Sequence, residues 1–343
     1  MSKMILVGMT LDEITEATKS FDLPRYVARE IALWIYRRGI TNFNEMTNIS
    51  LKTRQIIAEN FELGLTPHSK EAVSSDGTKK YLFPAHTDKY IETAYIPDKN
   101  RKTLCISTQV GCKMGCLFCM TAKQGFQGQL TSGEILNQII SLPEKDLLTN
   151  LVYMGMGEPF DNTVEVLKSL SILTADYGMA ISHKKITVST IGIIPGMRSF
   201  IEKTQCQLAI SLHSPFDDER VKLMPIENIY PIKEVVQVLK DYAIEKQRRI
   251  SFEYILFKGI NDSQLHINEL ARLLNGLRCR INLMRFHPIP GTSLAGTDEE
   301  SLQEFRNKLD RKGIITTIRA SRGMDIMAAC GLLSTKELQE NKT

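Results

Sequence analysis

The stretch GCKMGCLFC, residues 111–119, decides how the fold of this chain is read. It contains three cysteines, Cys112, Cys116 and Cys119, in the spacing Cys-x3-Cys-x2-Cys. A structural zinc site needs four ligands, and no histidine lies near these three. Three thiolates can instead hold a cubane 4Fe-4S cluster and leave one iron without a protein ligand, which is the open position that chemistry at a metal requires. A zinc site short of one ligand and a chance group of cysteines are the alternatives.

Predicted strands and helices alternate along the chain from residue 103 onward. The predicted strands are Leu104–Thr108, Asn150–Met156, Lys185–Thr190, Cys206–Leu212, Ile250–Phe257 and Arg280–Phe286. The predicted helices are Ser132–Ser141, Thr163–Leu173, Ile232–Ile244, Gln264–Leu274 and Ser301–Leu309. Six strands in a row, with five helices following them along the chain, predict a parallel sheet, either an open doubly wound sheet or a partial barrel.

Distinctive motifs follow four of these strands. The cysteine loop follows the first, GMGEP (155–159) the second, STIG (189–192) the third and SLHSP (211–215) the fourth. In a barrel, the chemistry lies at the C-terminal ends of the strands, so this placement favours a partial (β/α)6 TIM-like barrel. Glycines let backbone approach a ligand closely, and Glu158 is suited to accept hydrogen bonds from an ammonium group. Each motif taken alone is more often a turn or a strand cap.

Two smaller parts precede the barrel, which is predicted to span residues 101–335. Apolar residues at helical spacing within residues 1–65 predict a small helical accessory domain. Residues 66–100 contain the turn signal Asp76-Gly77 and two strand patterns, and they predict a β-hairpin extension. Glu92 lies in the second of these strands, on the same face as Tyr90 and Ala94.

Composition limits the class of protein. Hydrophobic residues make up 43% of the 343 residues and charged residues 24%, which is typical of a globular chain with a sizeable core. A net charge of +4 permits a nucleic-acid partner without requiring one. An odd count of seven cysteines fits a reducing compartment rather than a disulfide framework. With neither a signal peptide nor a long apolar run, we expect a cytoplasmic protein without a membrane span.

The motifs together resemble a known family. CKMGCLFC in the first strand–helix loop resembles the radical S-adenosylmethionine (SAM) superfamily, in which the open iron binds SAM and an electron from the cluster cleaves it to a 5′-deoxyadenosyl radical. The segments YIETAYIP, LCISTQVGC, FCMTAKQGF, MGMGEPFDN, VSTIGIIPGM, LAISLHSP and RGMDIMAACG resemble the RlmN family along nearly the whole chain. This family methylates C2 of an adenosine in 23S rRNA and, in some members, the tRNA adenosine 3′ of the anticodon.

The resemblance implies roles for three further residues. Cys330 matches a cysteine that one SAM methylates, and a second SAM then activates the S-methyl group, so that two SAM molecules are used per turnover. Glu92 matches a base that removes the ring proton. Cys105 matches the cysteine that releases the product through a transient disulfide with Cys330. These roles make chemical sense, because a covalent enzyme–base adduct needs an exit and a thiolate attacking sulfur provides one.

The resemblance also implies the SAM contacts. The matching positions are Gly157, Glu158, Ser189, Ser211, Leu212, His213 and, where many members have asparagine, His287. An imidazole can replace the hydrogen bond of that amide, and a structural histidine at a strand end is the alternative. A second departure is Gly323-Met324-Asp325, where the family often has Gly-Asp-Asp.

Two other functions stay open at this point. One is a C8-specific, Cfr-like rRNA adenine methyltransferase that confers antibiotic resistance. The other, from a different class, is a non-enzymatic iron–sulfur RNA-binding protein, which would need a fourth cluster ligand and neither Cys330 nor Glu92. For the enzyme, we expect RNA as substrate, an electron donor such as flavodoxin, and a monomer.

Overall fold

The chain begins with a small helical module. The computed structural model describes residues 3–86, 88–242 and 248–335. The module consists of β1 (Met4–Ile5), α1 (Leu11–Lys19), α2 (Arg25–Ala32), α3 (Leu51–Asn60) and β2 (Phe61–Glu62). The strands β1 and β2 pair in parallel. Thr10 and Glu13 form a capping box at the start of α1, which fixes the entry of the chain into the module.

An antiparallel extension follows this module. It consists of β3 (Lys70–Val73), β4 (Lys79–Ala85) and β5 (Lys89–Asp98), and β5 pairs antiparallel with β6 (Arg101–Cys105). The predicted turn at Asp76-Gly77 joins β3 to β4, where Gly77 has φ +84° and Ser74 N donates to Thr78 O at 2.8 Å. Glu92 lies opposite Leu82 in the β4–β5 register.

The remainder alternates strands and helices, as the sequence predicts. Its first elements are β7 (Gln109–Val110), α4 (Met120–Gln124), β8 (Gly128–Gln129), α5 (Ser132–Ile140), β9 (Asn150–Tyr153), α6 (Thr163–Thr174), β10 (Ile186–Thr190) and α7 (Ile194–Lys203). The later elements are β11 (Gln207–Ser211), α8 (Asp217–Leu223), α9 (Ile232–Asp241), β12 (Ile250–Leu256), α10 (Gln264–Leu274), β13 (Cys279–Arg285), α11 (Glu299–Arg311) and β14 (Ile315–Ile318).

Ten of these strands form one sheet, in the order β14-β13-β12-β11-β10-β9-β6-β5-β4-β3. The strands β6 and β9–β14 run parallel, and the extension adds three antiparallel strands beyond β6. A contact between distant strands shows that the sheet is curled. Arg319, just after β14, donates to the Met154 sulfur, just after β9, at 3.4 Å. A flat sheet would hold these two strand ends five strand spacings apart. The partial TIM-like barrel is thereby confirmed.

Several details differ from the sequence prediction. The first parallel strand, predicted at 104–108, runs instead from Arg101 to Cys105. Several elements were not predicted, among them α4, α8, β14, which is a seventh parallel strand, and α7, whose first turn carries Pro195 and Gly196. Proline is tolerated there because a first-turn N–H has no helical partner. Residues 243 and 244, the predicted end of the helix that begins at Ile232, lie outside the described residues.

The helical module packs against the outer helices of the barrel. Ser132, at the start of α5, donates to Gly8 O at 3.0 Å, and a Cβ on Gly8 would lie 2.5 Å from Gly133 N. Apolar residues of the module and of the barrel form one continuous buried cluster. Within the described part of the chain, no helix is both long and apolar enough to cross a bilayer.

Candidate active site

The cysteine loop is built by a tight backbone reversal. Gly111 has φ +73°, and a Cβ there would lie 1.7 Å from Gly125 O, so only glycine fits. The short strands β7 and β8 pair on either side of the loop. Leu117 N donates to Leu223 O at 3.0 Å, which ties the middle of the loop to the end of α8. The loop is therefore held at its base and at its tip.

The three cysteines of this loop line one cavity of about 160 Å³, here named the loop cavity. Cys112 and Cys116 are buried, and Cys119 is partly exposed. Burial raises the pKa of Cys112 to about 12 and raises the pKa of Cys116 well above its usual value, so both are thiols until a metal displaces their protons.

The donor set of the loop cavity fits an iron–sulfur cluster. Across residues 3–86, 88–242 and 248–335, no three His, Cys, Asp or Glu side chains converge closely enough to hold a single metal ion. Three sulfur donors along one wall suit a polynuclear cluster, which takes one thiolate for each of several irons.

The GMGEP turn forms another wall of the loop cavity. Gly157 has φ +98°, and a Cβ there would lie 2.5 Å from Gln109 Cβ. The Glu158 carboxylate is buried and accepts hydrogen bonds from Phe160 N at 3.0 Å, Thr190 Oγ1 at 2.6 Å and Ile191 N at 3.0 Å. Burial raises the pKa of Glu158 to about 7, although these hydrogen bonds oppose the shift.

His213 reaches the loop cavity with a fixed tautomer. Its Nδ1 accepts a hydrogen bond from Ile255 N at 3.0 Å, so the ring proton lies on Nε2. Burial, with Arg220 nearby, lowers the pKa of His213 to about 3, so the ring is neutral. Its backbone is left-handed, with φ +55°, and its carbonyl oxygen accepts a 2.6 Å hydrogen bond from Asn261.

The other predicted SAM contacts divide into two groups. Ser189 and Ser211 line the loop cavity. Leu212 does not, because its side chain is fully buried in the core and its N–H donates to Glu253 O. His287 lines a different cavity, described below, and the structure does not bring it to the cysteine loop.

A buried arginine, which the sequence analysis missed, holds the strand ends around the loop cavity. Arg220 is 0% exposed and donates to the carbonyl oxygens of Ile191, Ser211 and Leu212, at 2.8, 3.0 and 3.0 Å. It is also paired with the buried Glu227. The acidic and basic run DDERVK looks like a solvated helix face, and its sequence does not indicate which charge points inward.

A second cavity, of about 260 Å³, contains Cys105 and is here named the Cys105 cavity. Burial, with Cys330 nearby, raises the pKa of Cys105 to about 12. Cys330 is exposed and lines both the Cys105 cavity and the loop cavity. Met154 and Arg319 also line both, so the two cavities adjoin along this shared wall. The structure therefore brings the two predicted catalytic cysteines together.

Glu92 lies behind this wall rather than in it. It is fully buried and lines neither cavity. Its carboxylate is paired with Lys80 at 3.1 Å and accepts a hydrogen bond from Ser334 N at 2.9 Å. Leu333, the residue before Ser334, lines both cavities. Lys80 lies diagonally opposite Glu92 across the β4–β5 hairpin, on the same face of the sheet. The sequence alone does not give the register of this hairpin, so it could not predict the pair.

Basic residues surround the Cys105 cavity, whose lining includes Arg101, Arg285, Arg319 and Arg322. Arg319 is paired with Glu253 at 3.2 Å, and Arg322 with Asp98 at 2.9 Å. The lining of the Cys105 cavity can therefore bind an anion, and carboxylates hold Arg319 and Arg322 in place.

Family models match two parts of the chain. Residues 106–271 match the Radical SAM superfamily. Residues 4–63 match the ribosomal RNA large subunit methyltransferase N-terminal domain.

Curated relatives match over nearly the full length. A protein of Bacteroides thetaiotaomicron, named probable dual-specificity RNA methyltransferase RlmN, is 55% identical over 341 residues, which is 99% of both chains. The dual-specificity RNA methyltransferase RlmN of Syntrophus aciditrophicus is 42% identical, again over 99% of both chains. The crystal structure of a radical SAM methyltransferase from Sphaerobacter thermophilus is 38% identical and superposes with a TM-score of 0.91, covering 97% of this chain and 100% of that one.

Proposed function

Because the chain belongs to the RlmN family of radical SAM RNA methyltransferases, we propose that it methylates C2 of an adenosine in 23S rRNA and of the tRNA adenosine 3′ of the anticodon. The relatives carry the RlmN name, which favours C2 over the C8 alternative. They are named as methyltransferases, which confirms the enzyme interpretation over a non-enzymatic binding protein.

One observation carries the proposal. Cys330 lies on the wall shared by the loop cavity and the Cys105 cavity. A residue that receives a methyl group on one side and delivers it on the other must reach both, and Cys330 does so from an exposed position. Cys105, which the proposed release step requires, lines the second of these cavities.

The loop cavity has the groups that the cofactors need. Cys112, Cys116 and Cys119 would hold the 4Fe-4S cluster, and Glu158 would accept hydrogen bonds from the SAM ammonium. When bound, the cluster and SAM supply the radical that activates the methyl group. The neutral His213 offers an Nε2–H as a donor, and Ser189 and Ser211 offer hydroxyls, through which these side chains orient SAM. Leu212 and His287 are weaker proposals, since neither lines this cavity.

The cysteine pair performs the release. The Cys330 thiolate would take the methyl group from SAM, so that a sulfur–carbon bond forms as the S–CH3 bond of SAM breaks and S-adenosylhomocysteine leaves. After transfer to the base, the Cys105 thiolate would attack the Cys330 sulfur, so that the S–S bond forms as the carbon–sulfur bond breaks, and the released carbon keeps the electron pair and takes up a proton to become the methyl group of the product. Attack requires the thiolate, and Cys105 must lose a proton held at a raised pKa. The nearby Arg319 cation favours that loss.

Glu92 is proposed to accept the proton from the base. Lys80 keeps a cation beside the carboxylate, which favours its charged form. Because Ser334 N and the Leu333 backbone separate Glu92 from both cavities, the hydrogen bond from Ser334 must open before Glu92 meets the base. The proposed role therefore includes a movement of the chain at 333–334.

The proposal extends to the setting of the enzyme. We infer a helical accessory domain at residues 1–65, a hairpin extension at 66–100 and a catalytic barrel at 101–335. All seven cysteines are free, which supports a reducing, cytoplasmic location. We propose a monomer that receives electrons from a flavodoxin-type donor.

The test uses anaerobically reconstituted enzyme with SAM, reductant and an RNA containing the target adenosine. We expect C2-methylated adenosine by mass spectrometry in the wild type. Cys330→Ala should form 5′-deoxyadenosine but no methylated RNA. Cys105→Ala should accumulate a covalent protein–RNA adduct, visible as a band of reduced mobility.

The matched control is Cys279→Ala, which removes a partly buried cysteine that lines neither cavity. It should methylate RNA as the wild type does. Normal turnover by the Cys105→Ala variant would contradict the release step. Methylation at C8 instead of C2 would contradict the regiochemistry.

A further inference from the structure

The segment that carries Cys330 is anchored on both sides. Downstream of Cys330, Gly331 O accepts from Met120 N at 2.8 Å, and Leu333 O accepts from Thr121 Oγ1 at 2.7 Å. These bonds attach the segment to α4, immediately after the cysteine loop. This anchor places Cys330 beside the loop cavity.

The upstream anchor lies on a different part of the chain, the turn between β3 and β4. Asp325 Oδ1 accepts from Ser74 Oγ at 2.5 Å, and Asp325 Oδ2 accepts from Ser75 N at 3.0 Å. Asp76 Oδ2 in turn accepts from Gly323 N at 2.9 Å. Two aspartates, one on each side of the contact, therefore join the hairpin extension to the Cys330 segment.

The fit of this contact is tight. Gly323 has φ +64°, and a Cβ there would lie 2.8 Å from both the Thr78 and Ala328 side chains. Burial alone would raise the pKa of Asp76, but hydrogen bonds from Thr78 and the Gly323 N–H outweigh it and lower the pKa to about 2. Hydrogen bonds from Ser74 and Ser75 lower the pKa of Asp325 as well. Both shifts have the same direction, so the hydrogen bonds across this contact favour the charged form of each carboxylate.

Between the anchors the chain is short and strained. Only residues 326–330 separate Asp325 from the α4 contacts. Met327 has φ +54°, a conformation that costs energy for a residue with a side chain. Ala328 N donates back to Gly323 O at 2.8 Å, which closes a compact turn. The position of Cys330 is therefore determined largely by the two anchors, the one at Asp325 and the one on α4.

We propose that Asp325 is a positioning residue, which fixes the start of the Cys330 segment on the Ser74 hydroxyl and the Ser75 backbone N–H and so holds Cys330 at the junction of the two cavities. This rests on the proposed function, because it assumes that Cys330 carries the methyl group. The hairpin extension then contributes to catalysis, since its β3–β4 turn is the surface against which the Cys330 segment packs.

The experiment compares Asp325→Ala, Asp325→Asn, Ser74→Ala and the Asp325→Ala/Ser74→Ala double variant of the full-length holoenzyme. The control is Met324→Ala, which changes an exposed neighbouring side chain. We expect Asp325→Ala, which removes two hydrogen bonds, to lower kcat for RNA methylation at least about fivefold, the factor that a single net hydrogen bond is worth, with KM for RNA unchanged. Asp325→Asn keeps an acceptor for Ser74 and should recover most of kcat.

A second readout does not depend on the reaction. Hydrogen–deuterium exchange of the amides in residues 326–329 should be about fivefold faster in Asp325→Ala and in Ser74→Ala. The double variant should exchange no faster than Asp325→Ala alone, because Asp325→Ala already removes the contact with Ser74. This readout supports the inference even if no RNA is methylated, in which case the proposed function alone fails.

Three results would overturn the inference. One is exchange and kcat in Asp325→Ala equal to those in Met324→Ala. Another is an increase in KM at constant kcat, which would assign Asp325 to RNA binding. The third is additive effects of Asp325→Ala and Ser74→Ala, which would mean that the two residues act separately.

Discussion

Replacing Arg220 by methionine should destabilise the protein strongly. The Arg220 guanidinium is fully buried, and its donors are used by three carbonyl oxygens at the ends of β10 and β11, those of Ile191, Ser211 and Leu212. Methionine fills similar space but donates nothing. The three carbonyls lose this donor, and the Glu227 carboxylate loses its cation.

The magnitude follows from these losses. Removing one partner of a buried ion pair typically costs about 3–5 kcal/mol, because the other charge stays buried and unpaired. Glu227 keeps a hydrogen bond from Ile232 N at 3.0 Å, which offsets part of this. We therefore expect Arg220→Met to lower the free energy of unfolding by about 3 kcal/mol. Arg220→Met/Glu227→Leu should recover part of that loss, since no charge is left behind.

The assay is urea unfolding followed by circular dichroism, with Arg306→Met as the matched control. Arg306 pairs with Asp310 at 3.5 Å on an exposed helix face, and such a pair is worth about 0.5 kcal/mol or less. If Arg220→Met were no more destabilising than Arg306→Met, the reasoning about the buried pair would be refuted. A double variant less stable than Arg220→Met would refute the assignment of the cost to the unpaired Glu227.

Three further predictions concern the two cavities. Glu158, with a pKa of about 7, must be ionised to accept the SAM ammonium, so SAM affinity should rise up to about tenfold per pH unit below pH 7 and level off above it; calorimetry on Glu158→Gln should show no such slope. Gly111→Ala would place a Cβ 1.7 Å from Gly125 O and should abolish bound iron by metal analysis, whereas Gly259→Ala, with φ +69° and open space, should cost about 1 kcal/mol and keep its iron. Burial raises the pKa of Cys105 to about 12, so its alkylation by a maleimide should accelerate about tenfold per pH unit between pH 7 and 9, and a flat profile would contradict this.

The sequence predicts what depends on local pattern. The spacing of Cys112, Cys116 and Cys119 requires one loop, and the loop follows the first parallel strand as expected. The capping box at Thr131 appears where Glu134 follows three residues later. The strand β14 was missed because ITTI is short, and Ile315 is 60% exposed, so it carries no buried apolar run.

Contacts between distant parts of the chain could not be predicted from the sequence. Asp325 and Ser74 are 251 residues apart, and nothing local in either segment indicates the other. His287 was expected at the SAM site because its neighbours match a family motif, but it lines the Cys105 cavity. Glu92 was expected to face the substrate, whereas burial beside Lys80 and Ser334 closes it off in this conformation. For His287 and Glu92 the direction of the side chain decides which cavity it reaches, and sequence periodicity does not determine that direction.

The pairing of β5 with β6 has a consequence for what can reach the reaction centre. The edge of β6 that could pair with β14 is occupied by β5, so β6 and β14 cannot pair to close the barrel. The Cys105 cavity, which is lined by residues of β5 and β6 and by residues that follow β14, keeps arginines at this gap. Under the proposed function, one nucleotide flipped out of its RNA would reach the cavity here, and its entry would break no hydrogen bond between strands.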